Sequence, residues 1–249
     1  MIKRFLSARW QYLAMLNYQI DPDVLRRYIP PFTEIDYWNG KAVISVVGFL
    51  FHDTSVLGVK WPGHVNFEEV NLRYYIKHYD GAQWRRGVGF ISEIVPRSAI
   101  CAIANRWYNE HYTLAKMAHA LAVSKEEVHI SYQWQKRGGM QNELGIYAAG
   151  PLRDILPGTE EDFIFEHYYG YNKLRDGVTI EYGVHHPRWK VFDVKSHSLV
   201  CDAEALYGPD FAPFINDSNF LSAFLAVGSD VWVGWPRYIR SPQGITLPQ

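Results

Sequence analysis

The chain has little net charge, few sulfur atoms and no long apolar run, and each shortage closes off a class of function. Its 25 Lys and Arg stand against 26 Asp and Glu, a formal net charge of −1. So even a balance gives no electrostatic case for binding nucleic acid or an anionic membrane. Pairings of cation and ring, Trp84-Arg85-Arg86 and Arg106-Trp107, lack a wider basic surplus and read as solvated edges. The two cysteines, Cys101 and Cys201, lie far apart in the chain. No disulfide framework is implied, and a reducing, cytoplasmic compartment is expected. The longest apolar run, Ala42 to Phe51, is far too short to cross a bilayer as a helix. The stretch MIKRFLSARWQYLAML carries Arg9 and Gln11 among its apolar residues and offers no small-residue cleavage site. It does not read as a signal peptide.

Several chemical signatures are also missing. No HExxH and no paired-cysteine motif accompanies the ten histidines, so no metal site is expected. No GxSxG elbow supports a serine triad. Gly87-Val88-Gly89 lacks the rest of a phosphate-binding glycine motif, and no organic cofactor is expected. Cys101 sits among apolar residues of a predicted helix and reads as core rather than nucleophile.

What the chain has in quantity is aromatic residues, 16% of the total, with 17 Tyr and 9 Trp. Such side chains bury large areas but need a partner for their polar tips. They suit either a bulky β core or a semi-polar ligand cavity. Gln11 to Tyr18 reads as a strand. Asp21-Pro22-Asp23 opens a helix, with Asp as cap and Pro at the first position, and Pro30-Pro31 closes it. Strands 34–38 and 42–52 meet at Asn39-Gly40, and strands 66–78 and 84–95 meet at Asp80-Gly81, both hairpin signals. Residues 96–109 look helical. Val128, Ile130, Tyr132 and Trp134 alternate as a strand does, and Gly138-Gly139 turns into a strand over 143–149. Thr159, with Asp162 three residues on, caps a helix predicted to run to about Tyr169. A strand over 178–184, a short helix near Ala203 and a strand over 230–235 complete the pattern. No linker or repeat divides the chain, so residues 1–249 are read as one domain. Hairpin-linked strands with a few separate helices make it α+β, a large antiparallel sheet closed into a barrel.

The strand FEEVNLRYYIK, residues 67–77, is the most informative segment. Side chains alternate across a strand. Val70, Leu72, Tyr74 and Ile76 share one face, which must pack on core. Phe67, Glu69, Asn71, Arg73, Tyr75 and Lys77 share the other, which either meets solvent or lines a polar cavity. Glu69 and Arg73 lie roughly 13 Å apart along the strand, too far for a simple pair. Their long side chains can instead converge on a ligand held over Asn71. Arginine captures carboxylates through two parallel hydrogen bonds. A glutamate serves as general acid or base where burial raises its pKa. Asn71 can donate to or accept from a carbonyl or hydroxyl.

Two other clusters carry polar groups. His52-Asp53-Thr54-Ser55 holds a candidate acid/base and a hydroxyl, or is a polar turn in which Asp53 caps local amides. His185 and His186 are adjacent, so on a strand they point to opposite faces. They either pack a loop over the mouth of the barrel or set one imidazole in a pocket. Glu166 and His167 are neighbours on the predicted helix and do not share a face; packing is the plainer account of both.

The stretch NYQIDPDVLRRYIPPFTEID (17–36), followed by GFLFHDTSVLG (48–58), resembles the N-terminal half of acetoacetate decarboxylase. The closer resemblance is to the YqjF-like family of uncharacterised proteins, which share the decarboxylase-like fold. It rests on Asn39-Gly40 before the strand 42–52, then Glu69-x-Asn71-x-Arg73-x-Tyr75, Glu166-His167-Tyr168, and His185-His186-Pro187-Arg188-Trp189. It covers roughly residues 8 to 195 and implies a β-barrel or cone with a central pocket and helices outside. The decarboxylase carries a Glu, a Pro and two adjacent lysines, one of which forms a Schiff base with the substrate ketone. Here the matching run is Glu93-Ile94-Val95-Pro96-Arg97-Ser98-Ala99-Ile100, and the lysines align with Ala99 and Ile100. Neither Ala99 nor Arg97 can supply a neutral amine. The family's pocket carboxylates align near Val47 and Pro62, and its pocket arginine near Gln11.

The resulting expectation is a pocket for a small carboxylate or carbonyl compound. Glu69 is the candidate catalytic residue; Asn71, Arg73, Tyr75, His52 and His186 are the candidate ligand-binding residues. An enzyme built this way is of lyase or hydratase type and not a lysine Schiff-base decarboxylase. A non-catalytic binding module that kept the cavity fits the same residues. Assembly into a homo-oligomer stays open.

Overall fold

The computed structural model describes residues 4–109, 111–174 and 177–240. Residues 1–3 of the N-terminal apolar stretch lie outside them. From the N-terminus come β1 (Arg4–Ile20), α1 (Pro22–Arg26), β2 (Glu34–Ile35), β3 (Ala42–Val56), β4 (Phe67–Tyr79) and β5 (Trp84–Val95). Then follow α2 (Ser98–Trp107), β6 (Tyr112–Leu114), β7 (Lys116–Val123), β8 (Glu127–Gln135), β9 (Asn142–Ala149), β10 (Arg153–Asp154) and α3 (Glu160–Phe165). The remainder is β11 (Tyr169–Lys173), β12 (Thr179–His185), β13 (Lys190–Phe192), β14 (Val194–Val200), α4 (Ala203–Tyr207), β15 (Phe220–Gly234) and β16 (Arg237–Ile239).

The chain is mostly β. The large sheet runs β15-β1-β3-β4-β5-β11-β12, and β12 pairs back to β15, so these strands form a ring. A separate four-stranded sheet has the order β14-β9-β8-β7. Local chemistry fixes the corners as the sequence predicts. Asn39 and Gly40 both adopt positive φ, 46° and 77°, as the tight turn into β3 requires. The Asp80 side chain accepts from the backbone N–H groups of Ala82 and Gln83, closing the turn between β4 and β5. Asp21 and Thr159 cap α1 and α3 through their side chains.

Strand alternation divides the interior in two. Ala14, Leu16, Ile44, Val46, Leu72 and Ile76 face away from the ring and pack against Ile130, Tyr132, Trp134 and Ile146 of the small sheet. Leu13, Met15, Val47, Phe49, Tyr75 and Phe163 face the other way, into the ring. Gly48 marks the contact between the sheets: a Cβ there would lie 2.6 Å from Cδ2 of Tyr132. The Tyr132 hydroxyl donates to the carbonyl of Tyr12, a residue at φ 51° where β1 slips register against β3.

Six elements named here depart from the sequence reading. β1 begins at Arg4 and β15 at Phe220, both earlier than predicted. β7 and β14 were not legible, because Lys116–Val123 is rich in Ala and Val194–Val200 is largely polar and exposed, neither a strong strand signal. α3 stops at Phe165, so Glu166 and His167 do not sit on a helix. His52 to Ser55 continue β3 instead of turning. Asp53 does not cap amides there; its carboxylate pairs with Lys60, and its own N–H donates to Asn66.

Candidate functional site

The polar face of β4 looks into the ring. β4 lies between β3 and β5, with Asn71 opposite Val47 on one side and Glu93 on the other. An extra residue in β5 between Ser92 and Phe90 breaks register at Arg73 and, as bulges do, re-aims the side chains nearby. Inside lies a cavity of about 130 Å3, which Glu69, Asn71, Arg73 and Glu93 line together with His167 and His186. Its apolar wall comes from Trp10, Phe49, Phe67, Phe165, Trp189 and others. Pockets for drug-sized ligands measure roughly 300–1,000 Å3, and an apolar cavity of roughly 150 Å3 holds benzene. The space therefore suits a molecule of a few heavy atoms.

Glu69 and Asn71 are almost fully buried. Glu69 accepts from Asn71 Nδ2 at 2.9 Å through one carboxylate oxygen and from the Tyr112 hydroxyl at 2.9 Å through the other. Arg73 is half-buried. Its guanidinium donates to the Ile164 carbonyl at 3.1 Å and to the Tyr75 hydroxyl at 3.2 Å, and lies over the Tyr75 ring. Among the described residues no carboxylate pairs with it.

Tyr75 does not line the cavity; it supports Arg73 from behind. Ser45 donates its hydroxyl proton to Asn17 Oδ1 at 2.6 Å, so the 2.6 Å contact between Tyr75 and Ser45 has the tyrosine as donor. Asn17 Nδ2 donates onward to Ser222, and Ser222 donates to the Glu160 carboxylate at 2.6 Å. A directed line of hydrogen bonds thus leads from Arg73 across β4, β3, β1 and β15 to Glu160. Aligned donors of this kind polarise one another. Polar residues within the apolar runs of three strands, Asn17, Ser45 and Ser222, were the available signal for it.

His52 also lies outside the cavity wall, on β3 near His119 and Glu68. His185 and His186 do point apart. His185 stacks on Trp232 with ring centroids 3.7 Å apart, while His186 stacks on Trp189 and lines the cavity. Burial lowers the His186 pKa to about 4, with Arg73 pushing the same way.

His167 is a lining residue that the sequence reading passed over as packing. Burial lowers its pKa to about 4, so the ring is neutral, and its Nε2 lies 3.2 Å from Asp36 Oδ2. Burial favours a neutral Asp36, but the hydrogen bonds from His167 and Arg86 outweigh it and hold the carboxyl at about 2. The signal was indirect: only the early end of α3 frees residue 167 to turn inward.

Of the positions matching the decarboxylase's pocket groups, Val47 and Ile100 line the cavity, while Gln11, Pro62 and Ala99 do not. No lysine is among the described lining residues. Cys101 packs against the ring interior, and burial raises its thiol pKa. Among the described residues no group of His, Cys, Asp and Glu could hold a metal ion, and no helix is long and apolar enough to cross a membrane.

A family model, DUF2071, described as an uncharacterized conserved protein, matches residues 7–229. The chain belongs to the DUF2071 family. The DUF2071 chain is also 25% identical over 221 residues to the uncharacterized protein YqjF of Bacillus subtilis (strain 168), covering 85% of this chain and 86% of that one. Its fold is acetoacetate decarboxylase-like. The acetoacetate decarboxylase of Legionella pneumophila superposes with a TM-score of 0.65 at 13% identity, over 95% of this chain and 87% of that one. The enduracididine biosynthesis enzyme MppR, complexed with pyruvate, superposes with a TM-score of 0.67 at 12% identity, over 96% and 91%. At such identities the likeness to these two concerns the fold alone.

Proposed function

We propose that the ring is a barrel or cone whose hollow binds a small carboxylate, with Arg73 as the anion holder. One observation carries this reading: a half-buried guanidinium at the cavity has no carboxylate partner among the described residues. A ligand carboxylate supplies the missing charge through two charge-assisted hydrogen bonds. Asn71 orients the rest of the ligand, and Glu69, held by Asn71 and Tyr112, exchanges a proton with it. That is acid/base chemistry of lyase or hydratase type. It uses no Schiff base, since no lysine is among the described lining residues. The binding of pyruvate by MppR, a protein of the same fold, is consistent with a small carboxylate as occupant.

A second reading, a binding module without turnover, draws support from Glu69 itself. Both of its oxygens already accept hydrogen bonds, an arrangement that also serves a purely structural carboxylate. Calorimetry with pyruvate, lactate, acetoacetate and 3-hydroxybutyrate tests both. Arg73→Gln should weaken binding by about 10- to 100-fold, the worth of a hydrogen bond to a charged group. Unchanged affinity in that variant, or no binding by any of the four, rules the site out. Glu69→Gln should bind as before. Loss of turnover in it supports the enzyme, and ligand recovered unchanged from the parent protein supports the binding module. Borohydride treatment with a ketone should leave no lysine adduct in the cavity.

A further inference from the structure

Among the described residues, the cavity-lining side chains of Trp10, Asn71 and His167 each leave one polar atom without a hydrogen-bond partner: Nε1, Oδ1 and Nδ1. The last two belong to residues more than nine-tenths buried, and both are acceptors. For Asn71 the assignment follows from Glu69. The amide nitrogen must face the carboxylate, which leaves the oxygen free. For His167 it follows from Asp36. A carboxylate held charged by Arg86 can only accept, so His167 carries its proton on Nε2 and presents a bare lone pair at Nδ1. His186 gives the same result from the other direction: its Nδ1 donates to the Pro187 carbonyl, leaving Nε2 as an acceptor. Both imidazoles are close enough to Arg73 for its charge to depress their pKa values.

Buried acceptors without donors are costly, and a ligand that brings a donor relieves them. Neither a carboxylate on Arg73 nor a ketone oxygen brings one. A hydroxyl does. We infer that the cavity is built for a small hydroxy-carboxylate, with its hydroxyl donating to His167 Nδ1, and that it discriminates against the oxo acid of the same skeleton. This rests on the reading of Arg73 as the anion holder.

The test pairs compounds that differ only at that oxygen. Both enantiomers of lactate are titrated against pyruvate, and both enantiomers of 3-hydroxybutyrate against acetoacetate, by calorimetry. One hydroxy acid should bind at least about tenfold more tightly than its oxo partner, the worth of one buried hydrogen bond. His167→Phe should reduce that ratio to near unity while Arg73-dependent binding persists. Nitrogen NMR of the histidine-labelled parent protein should find the His167 proton on Nε2, with the Nδ1 resonance moving when the hydroxy acid is added; this readout needs no variant. Equal or reversed preference, preference retained in His167→Phe, or a proton on Nδ1 overturns the inference. If binding is equal for the pair yet lost in Arg73→Gln, the carboxylate site stands and only the hydroxyl assignment falls. If no compound binds, both fall.

Discussion

Single residues in this protein act through the neighbours that fix their protons. Ser45 has one proton and gives it to Asn17, which obliges Tyr75 to donate to Ser45 and leaves the tyrosine oxygen to receive Arg73. Ser45 and Asn17 are fully buried, so neither can turn to water when the line is cut. Ser45→Ala strands the Tyr75 proton and the Asn17 oxygen together. At about 1–3 kcal/mol for each unsatisfied group, it should lower stability by about 2 kcal/mol or more in urea melts. Tyr75→Phe alone should also destabilise. The double variant should cost less than the sum, because removing both ends of a contact spares one orphan. Strict additivity would mean the two hydroxyls do not interact as the geometry has it.

Elements differ in how firmly they are held in the ring: the β11–β12 hairpin, covered by β16 at three residues of β12, Thr179 to Glu181, pairs with the other ring strands at few positions. It meets β5 only at Tyr169 opposite Gly87 and Gly170 opposite Val88. It meets β15 only at Val184 opposite Val233 and His185 opposite Trp232. Buried Glu181 anchors it instead, bonded to Arg85 at 2.9 Å, to Arg237 and to the Tyr171 hydroxyl. Glu181→Ala leaves Arg85 with Asp80 as its remaining carboxylate partner, and losing a hydrogen bond to a charged group costs about 1.5–3 kcal/mol. We expect the loss to show as faster amide exchange in β11 and β12 while β1, β3 and β4 stay protected. Uniform acceleration across all strands would mean the hairpin has no separate stability. The sequence made the hairpins around Asn39-Gly40 and Asp80-Gly81 legible, because turn chemistry is local. The alternation of residues 67–77 identified a polar face, but two outcomes were compatible with it, solvent or cavity. What decided between them was pairing between residues far apart in the chain, β12 with β15 above all, and no local pattern encodes that. The same limit hid His167, whose inward turn depends on where α3 ends, and it misplaced His52 and Tyr75, which share motifs with site residues yet lie outside the cavity wall.

At the scale of the whole molecule, the ring and α3 together bury His167 and partly cover His186, two imidazoles that would otherwise titrate near neutrality. His167 and His186 both hold pKa values of about 4 against an ordinary 6.5, burial being the first cause for each. The unfolded chain takes up these protons as pH falls through 6.5, while the folded chain refuses them until about 4. The unfolded state thus binds more protons across that window, and stability must fall as pH falls through it. At about 1.4 kcal/mol per pKa unit, His167 alone accounts for about 3 kcal/mol, and His186 adds a contribution of the same sign. Asp36 acts lower down. Its carboxyl, held at about 2 rather than 3.8, contributes stability that is full above 3.8 and lost as pH falls through 2. The urea midpoint should therefore be level between about pH 7 and 8 and decline from about 6.5 towards 4, before Asp36 titrates. His167→Phe should make the decline shallower, because the remaining imidazole supplies only its own share. A midpoint that holds steady from pH 7 to 5 would mean that these rings reach solvent.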